Sequence, residues 1–141
     1  MDQRLTIITL GVADVKRATS FYEEVFGWNK SASGNENISF FHLNGIEFAL
    51  YGRGELAKDA TVPAEGSGFK GFTLAYNARS EKEVDELFEL LDKRGANIVK
   101  KPGKVFWGGY SGYMADPDDN LWEIAYNPFL ELDDKGATKE S

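Results

Sequence analysis

An α+β fold is predicted, with one strand–helix–strands plan written twice around a common cleft. Three observations carry this expectation. Residues 5–51 run strand, helix and strands, closing with the hairpin Asn44-Gly45 and a strand over 46–51. Residues 69–126 repeat that order and close with Asp116-Pro117-Asp118-Asp119 and a strand over 121–126. Between them, residues 52–68 mix Gly, Pro and charged side chains without a period, as a linker does. A doubled module of this kind usually builds its cleft between the halves, so function is expected in the side chains that point there.

The elements follow in order. Residues 4–12 (RLTIITLGV) are rich in β-branched side chains and read as a strand. Asp14 stands where a helix N-cap belongs, its carboxylate able to accept from free backbone N–H groups. Val15, Ala18, Phe21, Tyr22, Val25 and Phe26 recur at helical spacing, and Gly27 supplies a left-handed stop. Residues 28–32 are expected as a second strand and Ser33-Gly34-Asn35-Glu36 as a turn. Residues 37–43 form a third strand, joined to the fourth by Asn44-Gly45, a pair that tolerates the positive φ of a two-residue hairpin. One helical turn is expected near 55–59, in a segment that could act as a flap.

The second module opens with a strand over 69–76. Ser80 and Glu83 have the spacing of a capping box, Val84, Leu87, Phe88 and Leu91 form the buried stripe, and Gly95 ends the helix. A short strand over 96–100, a longer one over 105–115 and a last over 121–126 complete the module. The expected organisation is a single domain over 1–130: module one 4–52, linker 53–68 and module two 69–127. Residues 131–141 (ELDDKGATKES) are expected as a polar, disordered tail.

Composition excludes several function classes. The formal net charge of −7 repels phosphate backbones, and the densest basic spot, Lys100, Lys101 and Lys104, is too small to offset it. Without cysteine there are no disulfides, thiolate nucleophiles or Cys-based metal sites. No apolar run reaches membrane-spanning length and no cleavable signal precedes the first strand, so the cytoplasm is the expected location.

The runs ITLGVADVKRATSFYEEVFGW, NGIEFALY and DPDDNLWEI together resemble the vicinal oxygen chelate superfamily, which includes glyoxalase I, bleomycin-resistance proteins and extradiol dioxygenases. The resemblance covers residues 5–127. It implies paired βαβββ modules forming a curved mixed sheet, a half-barrel, around a cavity. Metal-dependent members place four ligands on the first and last strands of the two modules, positions that align here with Ile7, Ala49, Phe72 and Glu123. Three of these lack a donor atom, whereas a catalytic divalent centre takes typically three or more protein ligands. No cofactor or metal is therefore expected, and the glyoxalase I reaction is disfavoured.

Strand alternation extends the list of candidates. Ile7, Thr9 and Gly11 should share a face with Glu47, Ala49 and Tyr51, and the two-residue hairpin brings Ile38, Phe40 and His42 to it. In module two, Phe72, Leu74 and Tyr76 are assigned the face of Glu123, and mapping the first hairpin onto the second adds Tyr110, Gly112 and Met114. The catalytic candidates are Glu123 and His42; the ligand-binding candidates are Phe40, Glu47, Tyr51, Phe72, Tyr76, Trp107, Tyr110 and Met114. His42 reads either as a base oriented by Glu47 or as half of a solvated cross-strand pair. Glu123 reads either as a carboxylate raised in pKa by an apolar pocket or as a relic paired with a tyrosine hydroxyl. Trp107 and Tyr110 suit an aromatic platform, Tyr113 the core.

The expected protein is a homodimer that binds a small, partly aromatic or cationic molecule, as bleomycin-resistance members do, with neither nucleic acid nor membrane as a partner. The alternatives are a lyase, isomerase or dioxygenase whose metal site is absent or built differently from His42, Glu47 and Glu123, and a non-catalytic structural partner.

Overall fold

Two parallel strand pairs, each bridged by a helix, organise the chain in the computed structural model, which describes residues 1–139. The chain divides after Gly68 into two units. The α+β class and the repeated order of elements are as the sequence predicts.

The first unit runs β1 (Ile7–Val12), α1 (Val15–Glu24), β2 (Gly34–Asn35), β3 (Ile38–His42), β4 (Glu47–Gly52) and α2 (Arg53–Asp59). Its sheet has the order β1-β4-β3-β2. β1 lies parallel to β4, a pairing that needs a long crossover, and α1 supplies part of it. Asp14 caps α1, its carboxylate accepting from Arg17 N at 3.1 Å. Gly27 takes φ 75°, which ends the helical path. The register matches the count made from Asn44-Gly45: His42 faces Glu47, Phe40 faces Ala49 and Ile38 faces Tyr51. Phe41, Phe48 and Leu50 occupy the other face and are buried with Leu10 and Val12. Tyr22 on α1 is fully buried among aromatic rings, its centroid 4.9 Å from Phe48 and 5.2 Å from Phe26. Thr19 and Ser39 meet in the same interior through a buried hydroxyl pair at 2.8 Å.

Three expectations for this unit are corrected. Residues 28–32 form no strand. Trp28 turns inward and stacks on Tyr22 at 5.5 Å, which draws the chain toward the core, and Ser31 N reaches Phe40 O at 2.8 Å without a continued ladder. The second strand is instead Gly34–Asn35, and the turn moves on to Glu36 and Asn37, braced by Asn37 N donating to Asn35 Oδ1 at 2.8 Å. The single helical turn becomes α2, which packs on β1: a Cβ at Gly11 would come within 3.2 Å of Arg53 Cα. Much of the expected linker thus belongs to the first unit.

The second unit runs β5 (Leu74–Asn77), α3 (Glu81–Lys93), β6 (Asn97–Lys104), β7 (Tyr110–Ala115) and β8 (Leu121–Tyr126), with sheet order β5-β8-β7-β6. Ser80 caps α3 by accepting from Glu83 N at 3.1 Å, and the Glu83 carboxylate accepts from Arg79 N at 2.7 Å. Val84, Phe88 and Leu91 form the buried stripe of α3. Residues 69–73 precede the strand expected there, so Phe72 lies outside β5. β6 continues to Lys104 rather than stopping at 100, on the sheet edge where the missing N–H of Pro102 is tolerated. Residues 105–109 form a turn, with Val105 N donating to Gly109 O and Gly108 N to Val105 O, both at 3.0 Å. Trp107 therefore sits in a loop, not in a strand.

Gly112 allows β7 and α3 to approach closely. A Cβ there would lie 2.6 Å from Lys100 O, 2.8 Å from Pro102 N and 2.7 Å from Phe88 Cζ. Two of these atoms are backbone and cannot swing aside, so Gly112→Ala should cost about 1–3 kcal/mol in urea unfolding. An unchanged urea midpoint would refute this packing.

The tail expected as disordered is structured as far as Lys139. Leu132 pairs with Thr138, the Asp133 carboxylate accepts from Lys135 N and Ala137 N at 2.9 Å each, and Arg79 Nη2 donates to Asp133 O at 2.7 Å. The backbone N–H groups of Ala137 and Lys135 hold the Asp133 carboxyl below its ordinary range. Residues 140–141 lie outside the described residues. Among those described, no helix is long and apolar enough to cross a membrane.

Candidate functional site

Loop length decides which side chains share a face with Glu123. The first hairpin leaves four residues between its last ladder pair, His42 and Glu47, but the second leaves five, Asp116 to Asn120, between Ala115 and Leu121. The buried Asp116 carboxylate fixes this turn: Oδ1 accepts from Asp118 N and Asn120 N at 2.9 Å each, and Oδ2 from Asn120 Nδ2 at 2.8 Å. Counting from Ala115 and Leu121 sets Tyr113 opposite Glu123 and Ser111 opposite Ala125. A register shift in β6 then places Lys100 opposite Tyr113, and β5 places Ala75 beside Glu123. Paired residues lie on one face of a sheet. Lys100, Tyr113, Glu123 and Ala75 therefore form a row across β6, β7, β8 and β5.

This register corrects six sequence assignments, Leu74 and Gly112 moving to the other face opposite Trp122 and Ile124 along with the four candidates that follow. Met114 is fully buried opposite Trp122, in the core on the α3 side of the sheet. Tyr110 lies on that side too, its hydroxyl donating to Asp85 of α3 at 2.6 Å. Tyr76 pairs with Ile124 rather than Glu123, and burial, then the Glu83 charge, pushes its phenol pKa up. Phe72 stands before β5 and is 42% exposed; counting back two from Ala75 puts Thr73, not Phe72, on the face of Glu123.

Lys100, Tyr113 and Glu123 of this row floor an open cavity of about 380 Å³. Lys100, Ser111, Tyr113 and Glu123 line it, and Val105, Phe106 and Trp107 of the β6–β7 turn border it. Lys104 also contributes, but it pairs with Tyr110 on the α3 side and its ammonium meets the Glu81 carboxylate at 3.4 Å. Trp107 lies directly over Gly109, where a Cβ would fall onto the indole ring. Ser111 is 2% exposed, and Phe106 at the turn tip is fully exposed. The Tyr113 hydroxyl donates to Glu123 Oε2 at 3.3 Å. Burial, the Glu123 charge and this hydrogen bond all raise the Tyr113 pKa, so the phenol stays protonated at neutral pH.

The same shift has a consequence for stability. The folded chain holds the Tyr113 proton more tightly than the unfolded chain does, so the unfolded state loses its proton first. Stability should therefore fall as pH rises from 10.0, the ordinary tyrosine value, through the higher folded pKa. The fall should be shallower in Tyr113→Phe; identical slopes in urea midpoints above that pH would contradict the assignment.

The first unit gathers its candidates as expected. Phe40, Glu47, Tyr51 and His42 share one face with Ile7, Thr9 and Ala49. His42 Nδ1 lies 2.6 Å from Glu47 Oε1, while Glu47 Oε2 is buried without a partner among the described residues. The His42 side chain is 77% exposed, so the solvated cross-strand pair describes it better than a sequestered base. A larger opening of about 460 Å³ lies beside residues 126–132 of the second unit. Its charged side chains, Arg79 and Glu131, are already engaged by Asp133 O and Lys139.

The residues do not fit the divalent ion that the family resemblance implies. Ile7 and Ala49 offer hydrocarbon, the register puts Thr73 rather than Phe72 on the face of Glu123 and so offers only a neutral hydroxyl there, Glu123 is hydrogen-bonded to Tyr113, and among the described residues no group of three or more His, Cys, Asp or Glu could hold a metal. Sequence reasoning missed Lys100, Ser111 and Tyr113 as cavity residues. The signal was present in the five-residue turn between Ala115 and Leu121, which inverts the parity of the first hairpin.

Comparison with known proteins places this geometry in context. The Fosfomycin resistance protein FosX of Listeria innocua is 29% identical over 126 residues, 85% of this chain and 86% of that protein. The Metallothiol transferase FosB of Lysinibacillus sphaericus is 26% identical over 122 residues, 86% of this chain and 81% of that protein. The crystal structure of a glyoxalase-related enzyme from Fulvimarina pelagi superposes with a TM-score of 0.86 at 34% identity, over 99% of each chain. The model of the Glyoxalase/Bleomycin resistance protein/Dioxygenase superfamily matches residues 4–124, from ahead of β1 into β8, and the chain belongs to that superfamily.

Proposed function

We propose that this protein binds a small, partly aromatic molecule without a metal ion, in the cavity that Trp107 borders and the Lys100–Tyr113–Glu123 row floors. One observation carries the reading. A single opening of about 380 Å³ combines the Trp107 indole, the buried Ser111 and groups of both charge signs on one sheet face. An apolar wall with a few convergent polar groups is the usual make-up of a ligand pocket. The relatives named for fosfomycin resistance and metallothiol transfer support small-molecule chemistry as the class. Binding is favoured over turnover because the only imidazole, His42, is exposed and paired with Glu47. A homodimer is part of the proposal and predicts twice the chain mass in light scattering.

Native mass spectrometry of the EDTA-treated protein after incubation with cell lysate tests the reading. A small-molecule adduct is expected on the wild type and is lost in Trp107→Ala. No adduct, an adduct that persists in Trp107→Ala, or strong thermal stabilisation by micromolar Mn²⁺, Ni²⁺ or Zn²⁺ would overturn it.

A further inference from the structure

We infer that the occupant of the Trp107 cavity is a planar organic anion carrying a hydrogen-bond donor at the end remote from its charge. This rests on the reading of the cavity as a small-molecule site and adds the polarity of the ligand. The acidic composition of the chain points to a cation, but the side chains in the cavity are arranged otherwise. Of its two lysines, Lys104 is turned to Glu81 on the α3 side of the sheet. Lys100, exposed on the edge strand β6, shares the cavity face with Tyr113, and the ion pairs among the described residues do not include its ammonium. An unpaired ammonium at a ligand wall favours an anionic group, and a charge-assisted hydrogen bond is the strong kind.

The other end of the row is different. Glu123 lies two strands away from Lys100, about 10 Å at the usual strand spacing, with Tyr113 between them. Its carboxylate already accepts from the Tyr113 hydroxyl and can accept from a second donor. An anion placed against Glu123 would be repelled, whereas a hydroxyl or N–H would be held. The Trp107 indole, seated on Gly109 at the border, offers a flat surface for the body that joins the two ends. The positions of the three groups thus order the ligand: negative charge at β6, ring under the turn, donor at β8.

Four probes of one size separate the terms: 4-hydroxyphenylacetate, phenylacetate, tyramine and 4-hydroxybenzyl alcohol. Titration calorimetry on the full chain should rank 4-hydroxyphenylacetate first, about 10-fold or more tighter than the neutral alcohol, as a charged hydrogen bond allows. Phenylacetate should bind more weakly than its hydroxylated relative, and that gap should close in Glu123→Leu, which removes the acceptor. Lys100→Met should reduce both anions to the affinity of the alcohol, and Lys101→Met should leave all four unchanged. If tyramine binds tightest, or the anion preference survives Lys100→Met, the polarity inference falls while the cavity remains a binding site. If none of the four binds, the inference and the cavity reading fall together.

Discussion

Replacing Tyr22 with alanine should destabilise the protein by about 3–5 kcal/mol, the range for removing a large aromatic side chain from a packed core. Tyr22 has no exposed surface and packs edge-on to Phe21, Phe26 and Phe48 at 5.2, 5.2 and 4.9 Å, with Trp28 stacked at 5.5 Å. These rings come from α1, from the segment after it and from β4, so the phenol ties the helix and its following loop to the sheet. The void cannot close cheaply, because the neighbouring rings are themselves held by the pleat and by α1. Urea unfolding and near-UV circular dichroism would check the expectation. A loss below about 1.5 kcal/mol would mean that the cluster relaxes around the gap, contrary to the packing described.

The second large effect is expected on binding rather than on stability. Trp107→Ala should weaken ligand affinity by about 10- to 100-fold, since aromatic anchors dominate small interfaces. The melting temperature should change little, because Trp107 lies in a turn and is 37% exposed. Gly109→Ala should reproduce the loss from the opposite direction. The backbone φ of Gly109 is not in the left-handed region, so the contact of a new Cβ with the indole is the main obstacle. An alanine there would displace the ring without removing it. Full affinity in Gly109→Ala, measured by calorimetry beside Trp107→Ala, would show that the indole position does not matter.

The first hairpin was fully legible in the sequence. Asn-Gly permits essentially one loop length, and that length fixes every facing pair from His42–Glu47 to Ile38–Tyr51. The second hairpin carried equally definite information in its Asp-Pro-Asp-Asp-Asn segment, but treating it as a copy of the first shifted the register by one. A shift of one residue exchanges the faces, and so Tyr110 and Met114 stood where Tyr113 and Ser111 belong. Lys100 was harder to foresee. Its alignment with Tyr113 depends on irregular pairing in β6 on both sides of Lys100, where Pro102 interrupts the donors of an edge strand. The absent strand at 28–32 has a different origin: Trp28 has strong strand propensity, but the aromatic core under α1 captures it.

Chemical-shift mapping of the ¹⁵N-labelled protein with 4-hydroxybenzyl alcohol, a neutral probe indifferent to ligand charge, addresses the binding site most directly. The largest perturbations should fall on the amides of Lys100, Ser111, Tyr113 and Glu123 and on the Trp107 indole N–H. Perturbations centred on Arg79 and residues 126–132, or on His42 and Glu47, would place the site elsewhere and contradict the account.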